Sequence, residues 1–225
     1  MSYTVGVLGG MGTLATCVFF NKLFEKTPDV VTDQDHINTI ILNHASLPDR
    51  TDIILSHKEN AHVFLDQVAQ DFKIFDQAGV QYIAITCNTS HYFIREMRAF
   101  TKAEIIDMPR EALLQAKKLG YSSAVIFGTP GCIKGNVYGR YQDELGIRVL
   151  YPSQEDQDLL RAIIYDIKTT GRRSYKEFDA LKEHYKEKGC IIVGCTELSL
   201  LDTNNTLDAM DVLVTSVLRR CGRCD

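Results

Sequence analysis

The sequence predicts an α/β fold of two similar lobes, each a mostly parallel sheet flanked by helices, with the active site in the cleft between them. Short apolar segments rich in Val and Ile alternate with longer amphipathic segments along the whole chain, which favours parallel sheets covered by helices. The two halves of the chain also resemble each other. TVGVLGGMGT is similar to SAVIFGTPGC, and YIAITCNTS is similar to CIIVGCTEL.

In the first half, strands are predicted over residues 5–8, 37–42, 80–85 and 103–106, each ending at glycine or polar residues. The first helix is predicted over residues 13–26, with Pro28 beyond its end. A long helix is predicted over about 57–77, where apolar residues recur at spacings of three and four. Another helix begins at about Ser90, and Pro109 suits the first turn of the next.

The second half repeats this scheme. Strands are predicted over residues 124–127, 148–150 and 190–193, and helices over 159–167, 175–185 and 207–218. No low-complexity linker separates the halves, so we expect the lobes to pack together. In open α/β sheets ligands bind at the carboxyl ends of the strands, so facing lobes would bring two such ends to one cleft.

Composition excludes several classes of protein. The 225 residues are 45% hydrophobic and 24% charged, as in an ordinary globular protein. A net charge of −4 gives no electrostatic reason to expect binding to nucleic acid or an anionic membrane. Neither a signal peptide nor a membrane-spanning segment is predicted. The seven cysteines are therefore expected to be reduced thiols in a cytoplasmic protein.

The glycine turn GMGTLA, residues 10–15, matches the dinucleotide pattern G-x-G-x-x-A directly after a strand. However, the next strand ends in Asn43 and His44, where a dinucleotide site needs an acid for the ribose hydroxyls. A tight turn into a helix whose N-terminus attracts an anion, such as a ligand carboxylate, explains the same residues. We favour this second interpretation.

Cys87 and Cys195 are the candidate catalytic residues. Free cysteine is often a small core residue, and that interpretation is favoured for Cys17 and Cys190. Cys87 and Cys195 differ because each follows the apolar run of its strand and precedes polar groups near a helix start. Backbone N–H groups at such positions favour the thiolate. Two equivalent cysteines indicate a pair of acid/base groups.

Four charged or titratable residues are further candidates. Arg50 is predicted to lie in a loop after the second strand, where its guanidinium could bind a substrate carboxylate bidentately. Glu197 lies at a turn that faces the same side. For Lys168, spacing alone favours a solvated surface charge. His91 is either an acid/base group of the site or a helix-start residue.

No metal site is predicted. The remaining histidines show no H-E-x-x-H or similar spacing. Cys221 and Cys224 form a C-x-x-C at the C-terminal tail without a second pair, so a frayed terminus is expected there. Cys132 lies in a predicted loop, and no task is assigned to it.

Five stretches, distributed over nearly the whole chain, resemble the aspartate/glutamate racemase superfamily, and within it the cofactor-independent aspartate racemases. They are GVLGGMGTLAT, LPDRT, TCNTSHYF, GCTEL and TPGCIKGNVYGRYQDELG. The resemblance implies a homodimer without a cofactor, and a last helix that packs back on the first lobe. The expected lobes are residues 1–103 plus 208–225, and residues 104–207.

The resemblance also implies a role for each site residue. Cys87 and Cys195 would be the acid/base pair, Arg50 would bind the side-chain carboxylate, and Lys168 would be the second cation. The remaining positions implied in substrate binding are Met11, Asn88, Thr89 and Thr196, to which we add Glu197 from its position in the turn.

The expected activity is the interconversion of L- and D-aspartate, or of glutamate, without pyridoxal phosphate. One base cannot reach both faces of Cα, so two groups on opposite sides of the substrate are needed. Two alternatives stay open. One is a related lyase or isomerase, of the decarboxylase or maleate isomerase type. The other is a non-catalytic amino-acid-binding protein.

Overall fold

The computed structural model describes residues 4–57 and 59–224, which form two parallel four-stranded sheets. The strands of the first sheet are β1 Val5–Gly9, β2 Thr39–Asn43, β3 Tyr82–Ile85 and β4 Glu104–Ile105. Those of the second are β5 Ser123–Phe127, β6 Arg148–Leu150, β7 Cys190–Val193 and β8 Leu207–Asp208. This confirms the predicted fold class.

The two sheets share one topology. Their strand orders are β2-β1-β3-β4 and β6-β5-β7-β8, and every neighbouring pair is parallel. Val7 lies between Ile41 and Ala84 in the first sheet. In each half the first strand is therefore central and the second lies at an edge. This equivalence agrees with the resemblance between the two halves of the sequence.

Ten α-helices connect and cover the strands in the described residues. In the first half they are α1 Thr13–Lys26, α2 Arg50–Leu55, α3 Ala61–Gln77, α4 Ile94–Arg98 and α5 Met108–Lys118. In the second half they are α6 Pro130–Lys134, α7 Gln142–Leu145, α8 Gln154–Thr170, α9 Lys176–Tyr185 and α10 Ala209–Arg220. Parts of the chain that follow strands form 3-10 turns at Thr89–Phe93 and Leu198–Leu200.

The core has three clusters, because alternate side chains of a strand point to opposite faces of its sheet. A central cluster contains side chains from one face of both sheets, such as Val7 and Ile126, together with α10 and α5. An outer cluster packs the other face of the first sheet against α3, and a third packs Val125 and Ile191 against α8 and α9. The lobes are thus held together by a shared apolar core.

Three local predictions were wrong. Arg50 is the first residue of helix α2, not part of a loop, because the side chain of Asp49 caps that helix by accepting a hydrogen bond from the backbone of Asp52 at 3.1 Å. Helix α3 begins at Ala61, not at 57. The segment predicted as a helix from 207 begins with strand β8, because its backbone pairs with that of β7.

Helix α10 lies between the lobes, where it packs against α1 and α5. Asp208 caps its start by accepting from the backbone of Met210 at 2.9 Å. The proposed lobe bounds, with residues 208–225 joined to the first lobe, stay a prediction. In the described part of the chain no helix is long and apolar enough to cross a bilayer.

Candidate active site

A small cavity lies where the carboxyl ends of the two sheets meet. It is lined by all nine residues that the sequence placed in the site: Met11, Arg50, Cys87, Asn88, Thr89, Lys168, Cys195, Thr196 and Glu197. Three further residues, which the sequence analysis did not identify, complete the lining: Asp49, Thr51 and Thr129. The space open within it is about 20 Å³, close to that of one water molecule.

The two cysteines occupy equivalent places in the two lobes. Cys87 is the second residue after β3, and Cys195 is the second after β7. In each lobe the residue just before the cysteine donates its backbone N–H to the central strand, from Thr86 to Leu8 at 3.1 Å and from Gly194 to Phe127 at 2.8 Å. Both thiols are buried. The fold thus brings the two cysteines to one cavity from opposite lobes.

Cys195 is held as a protonated thiol. Its Sγ lies 3.0 Å from Oε2 of Glu197 and donates a hydrogen bond to that carboxylate. Burial raises the pKa of Cys195 well above its ordinary value, and the negative charge of Glu197 raises it further. At neutral pH this residue is therefore a proton donor.

Lys168 reaches the same carboxylate from helix α8. Its Nζ lies 3.9 Å from Oε1 of Glu197, and its side chain is 30% exposed. Burial is the largest single influence and lowers the pKa of Lys168, but the surrounding negative groups, with Glu197 first among them, together outweigh it and the net shift is upward. Spacing alone favoured a surface charge at this position. The structure corrects that interpretation, since Lys168 lines the cavity as a charged ammonium.

Arg50 is buried and is oriented by backbone carbonyls. Its Nη1 donates to the carbonyls of Pro48 at 2.9 Å and Leu47 at 3.3 Å, and its Nη2 donates to that of Met11 at 3.0 Å. Nε has no hydrogen-bond partner among the described residues. The carbonyls therefore fix the plane of the guanidinium and leave its Nε edge available.

Three buried polar atoms without a hydrogen-bond partner in residues 4–57 and 59–224 belong to this cavity. They are Nε of Arg50, Nδ2 of Asn88 and Oε1 of Glu197. Leaving a buried donor or acceptor unpaired costs about 1–3 kcal/mol, so such atoms rarely cluster without a reason. Two donors and one acceptor at one place are suited to a ligand that carries both a carboxylate and an ammonium group.

His91 has a structural role in this conformation. It is 1% exposed, and its Nδ1 donates to the carbonyl of Cys87 at 2.9 Å. Its Nε2 then accepts from the backbone N–H of Met108 at 3.3 Å, which requires a neutral ring. Burial lowers the pKa of His91 in agreement with this state. The ring connects the backbone of Cys87 to the start of α5.

Thr129 is a site residue that the sequence analysis missed. Its Oγ1 lies 2.8 Å from Oγ1 of Thr89, so a hydroxyl pair joins the lobes beside Cys87. Thr129 also caps helix α6 by accepting from the backbone N–H of Cys132 at 3.1 Å. The signal was present in SAVIFGTPGC, because Thr129 is the second residue after β5 and corresponds to Gly10 when this stretch is aligned with TVGVLGGMGT.

A larger cavity of about 640 Å³, which we call the outer cavity, adjoins the site. Five residues line both spaces: Met11, Asp49, Arg50, Lys168 and Glu197. The outer cavity also has apolar walls, formed by Leu14, Leu47, Ile167 and Leu200. Cys17 also lines it and is exposed, so the core position predicted for this residue was wrong.

The described residues contain no cluster of three or more histidine, cysteine or acidic side chains that could hold a metal ion. Cys190 is buried in the central cluster as predicted. Cys132 is also buried there, in helix α6 and not in the loop predicted for it, and burial raises the pKa of its thiol. Neither residue lines the cavity.

The sequence profile of the Asp/Glu/Hydantoin racemase family matches residues 8–217. The chain belongs to this family. It is an isomerase of the racemase type, as predicted. In sequence it is 24% identical over 205 residues to the broad specificity amino-acid racemase RacX of Bacillus subtilis, a match that covers 87% of this chain and 86% of that protein.

Solved structures of racemases share the fold. The aspartate racemase of Picrophilus torridus superposes with a TM-score of 0.84 at 22% identity, covering 99% of this chain and 95% of the other. An aspartate racemase homologue from Pyrococcus horikoshii gives 0.78 at 20% identity, covering 97% and 99%. A glutamate racemase of Francisella tularensis, solved with D-glutamate, gives 0.68 at 17% identity, covering 100% and 84%. These structures thus have the same fold as this chain.

Proposed function

We propose that this racemase interconverts the L and D forms of an acidic amino acid, with aspartate as the first candidate and glutamate as the second. The observation that carries the proposal is that two thiols from opposite lobes share one cavity with three buried polar atoms that have no hydrogen-bond partner among the described residues. The thiols suit proton transfer at both faces of Cα. The polar atoms suit the charged groups of an amino acid.

The charges of the cavity support an acidic substrate. The Nε edge of Arg50 would bind the side-chain carboxylate, with Lys168 as the second cation. Oε1 of Glu197 would accept from the α-ammonium group. Nδ2 of Asn88 would donate to the α-carboxylate, with Thr89 and Thr196 beside it and the backbone of Met11 near the α-groups. Each unpaired atom then gains a partner of opposite polarity.

Proton transfer would proceed between the two sulfurs. The thiolate of Cys87 takes the Cα proton, and the electron pair left on Cα delocalises into the α-carboxylate, where nearby donors stabilise the added charge. The thiol of Cys195 then gives its proton to the opposite face of Cα. The product leaves Cys87 protonated and Cys195 ionised, so the enzyme is poised for the reverse direction. Both proton-transfer groups are side chains, so we propose that no pyridoxal phosphate takes part.

The relatives support this order of candidates without deciding it. Aspartate racemases are among the structures with the same fold, and so is a glutamate racemase with D-glutamate bound. The sequence relative is described as a broad specificity amino-acid racemase. We place aspartate first because Arg50 and Lys168 would both serve a second carboxylate at short range from the thiols.

The test is the exchange of the Cα proton in deuterated water, together with a panel of L- and D-amino acids analysed by chiral chromatography. We expect the wild type to racemise aspartate and to incorporate deuterium in the product. Cys87→Ser and Cys195→Ser should each lose racemisation by at least about a hundredfold, because a hydroxyl is a far weaker acid than a thiol. Cys224→Ser is the matched control, since Cys224 is exposed and far along the C-terminal tail.

Retention of the parental racemisation rate in both site variants would contradict the two-thiol mechanism. Turnover of maleate in place of amino acids would favour the maleate isomerase type, and loss of carbon dioxide would favour a decarboxylase. Calorimetric binding of aspartate with no change in optical rotation over hours would indicate a non-catalytic binding protein. Each of these last three outcomes would assign the cavity to a different class of enzyme or binding protein.

We also propose a homodimer that works in a reducing, cytoplasmic compartment. All seven cysteines are free thiols, which suits such a compartment. Helix α1 carries an exposed apolar stripe formed by Leu14, Cys17, Phe20 and Phe24. These residues recur at spacings of three and four, so they share one helix face, which suits a contact with a second copy of the chain.

A further inference from the structure

Tyr138 is a fully buried residue of the second lobe whose hydroxyl reaches the site of the first. It lies between α6 and the 3-10 turn Gly139–Tyr141, and its relative exposure is 0%. Its hydroxyl donates to Oδ1 of Asn88 at 2.6 Å. Tyr138 does not line the cavity itself.

This hydrogen bond determines which end of the Asn88 amide faces the cavity. An asparagine side chain presents an acceptor at one end and a donor at the other, and the two ends differ little in shape. A tyrosine O–H needs an acceptor when buried, and burial raises the pKa of Tyr138 so that the proton stays in place. Oδ1 is the acceptor it contacts. Nδ2 is therefore the end left for a ligand.

The unpaired state of Nδ2 agrees with this orientation. Nδ2 of Asn88 is buried and has no hydrogen-bond partner in the described part of the chain. If the amide turned over, Oδ1 would face the cavity and would repel a carboxylate. The donor from Tyr138 thus favours the one orientation that serves an anionic group.

We infer that Tyr138 is a positioning residue that fixes the Asn88 amide so that its N–H donates to the α-carboxylate of the substrate. The inference rests on the proposed function for the identity of that carboxylate. It also explains why a tyrosine of one lobe makes a polar contact with the other. Together with the hydroxyl pair of Thr89 and Thr129, this contact makes the geometry beside Cys87 depend on both lobes.

The expected effect is on the bound carboxylate and on the charge that develops there. Removing one donor to a developing anion typically lowers kcat by about 10²–10³-fold. Tyr138→Phe leaves that donor present but free to turn over. We therefore expect a smaller loss in kcat/KM, of about tenfold.

The test is a double-mutant cycle of Tyr138→Phe and Asn88→Ala, measured both as kcat/KM and as the calorimetric affinity for aspartate. Tyr138→Phe should lose about tenfold alone and nothing further when Asn88 is already alanine, because the hydroxyl acts only through that amide. Tyr141→Phe is the matched control. Its hydroxyl donates to Oδ2 of Asp107 at 2.6 Å, away from the cavity, so racemisation should be unchanged.

Equal losses from Tyr138→Phe in both backgrounds would show that Tyr138 acts through general packing, and would overturn the inference. Wild-type activity and affinity in Tyr138→Phe would also overturn the inference, but they would leave the proposed function intact. If the wild type binds aspartate without racemising it, the proposed function fails and the affinity cycle still decides the role of Tyr138. Absence of both binding and turnover in the wild type would overturn both proposals. Thermal unfolding of each variant identifies any change in stability.

Discussion

The thiol of Cys195 and the carboxylate of Glu197 lie 3.0 Å apart, with only Thr196 between them in the chain. The chain turns sharply after β7, and the carbonyl of Cys195 accepts from the backbone N–H of Leu198 at 3.0 Å. This turn folds Glu197 back onto the sulfur. One carboxylate therefore contacts a thiol through Oε2 and lies near the ammonium group of Lys168 through Oε1.

Glu197→Gln should move the alkaline limit of activity to lower pH. Burial and the charge of Glu197 both raise the pKa of Cys195, so removing the charge lowers that pKa. Cys195 then loses its proton, and with it its role as acid, at a lower pH. We expect the alkaline limb of kcat to move to lower pH than in the wild type, measured upward from about pH 6. Glu183→Gln, at an exposed position on α9, is the control. If the alkaline limb of Glu197→Gln coincides with that of the wild type, the effect of Glu197 on Cys195 is contradicted.

Gly12→Ala should damage the site while sparing the fold. A Cβ on Gly12 would lie 2.7 Å from Oε1 of Glu197, which is closer than real Cβ contacts. The backbone of Gly12 is extended, with a φ of −126°, so alanine itself is tolerated there. The flexible carboxylate must move away, and we expect at least about a tenfold loss of kcat/KM with little change in the unfolding temperature.

The distinguishing comparison is the double variant Gly12→Ala/Glu197→Asp. A shorter acid withdraws the carboxylate from the added methyl group, so the second change should cost less in the alanine background than in the wild type. Additive losses would show that Gly12 acts on activity by another route.

His91 should make the folded state sensitive to acid. Burial lowers the pKa of His91 in the folded protein, whereas the unfolded chain has the ordinary value near 6.5. Below that pH the unfolded state therefore binds more protons than the folded state. The stabilising effect of the neutral ring is fully present above pH 6.5 and is lost as the pH falls toward the pKa of His91 in the folded protein. We expect the free energy of unfolding to decrease below pH 6.5, by at most about 1.4 kcal/mol per pH unit.

Urea unfolding of the wild type and His91→Gln over about pH 5–8 measures this effect. The variant should be less stable at neutral pH, since it loses a ring that bridges Cys87 and Met108, but its stability should vary less with pH. His62→Gln, an exposed position on α3, should retain the wild-type profile. Parallel profiles for wild type and His91→Gln would contradict the assignment.

Phe20→Asp should separate the proposed dimer. Phe20 is 44% exposed on the stripe of α1, and a carboxylate there would face apolar side chains in a contact between two copies. Sedimentation velocity should show a dimer for the wild type and a monomer for the variant. Ile74→Asp, which is also 44% exposed but lies on α3, is the control. A wild type that sediments as a monomer would contradict the proposed homodimer.

The sequence alone was sufficient for the fold class and for nine of the twelve residues that line the cavity. Alternating apolar segments are local patterns with a known periodicity, so seven of the eight strands were predicted near their observed positions. The eighth, β8, has only two residues and exists through its pairing with β7. Cys87 and Cys195 could be paired from the sequence because each follows a strand in a repeated motif.

Only the tertiary structure decided which groups these residues contact. From the sequence, Lys168 was interpreted as a surface charge, because spacing along a helix does not show which residues of other elements lie nearby. In the structure the nearby group is the carboxylate of Glu197. Tyr138 carried no local signal, because its partner Asn88 is 50 residues away in the chain. Residue types and the ends of strands can be recognised from local sequence. The protonation state, orientation and hydrogen-bond partners of a side chain depend on neighbours that come together only when the two lobes pack.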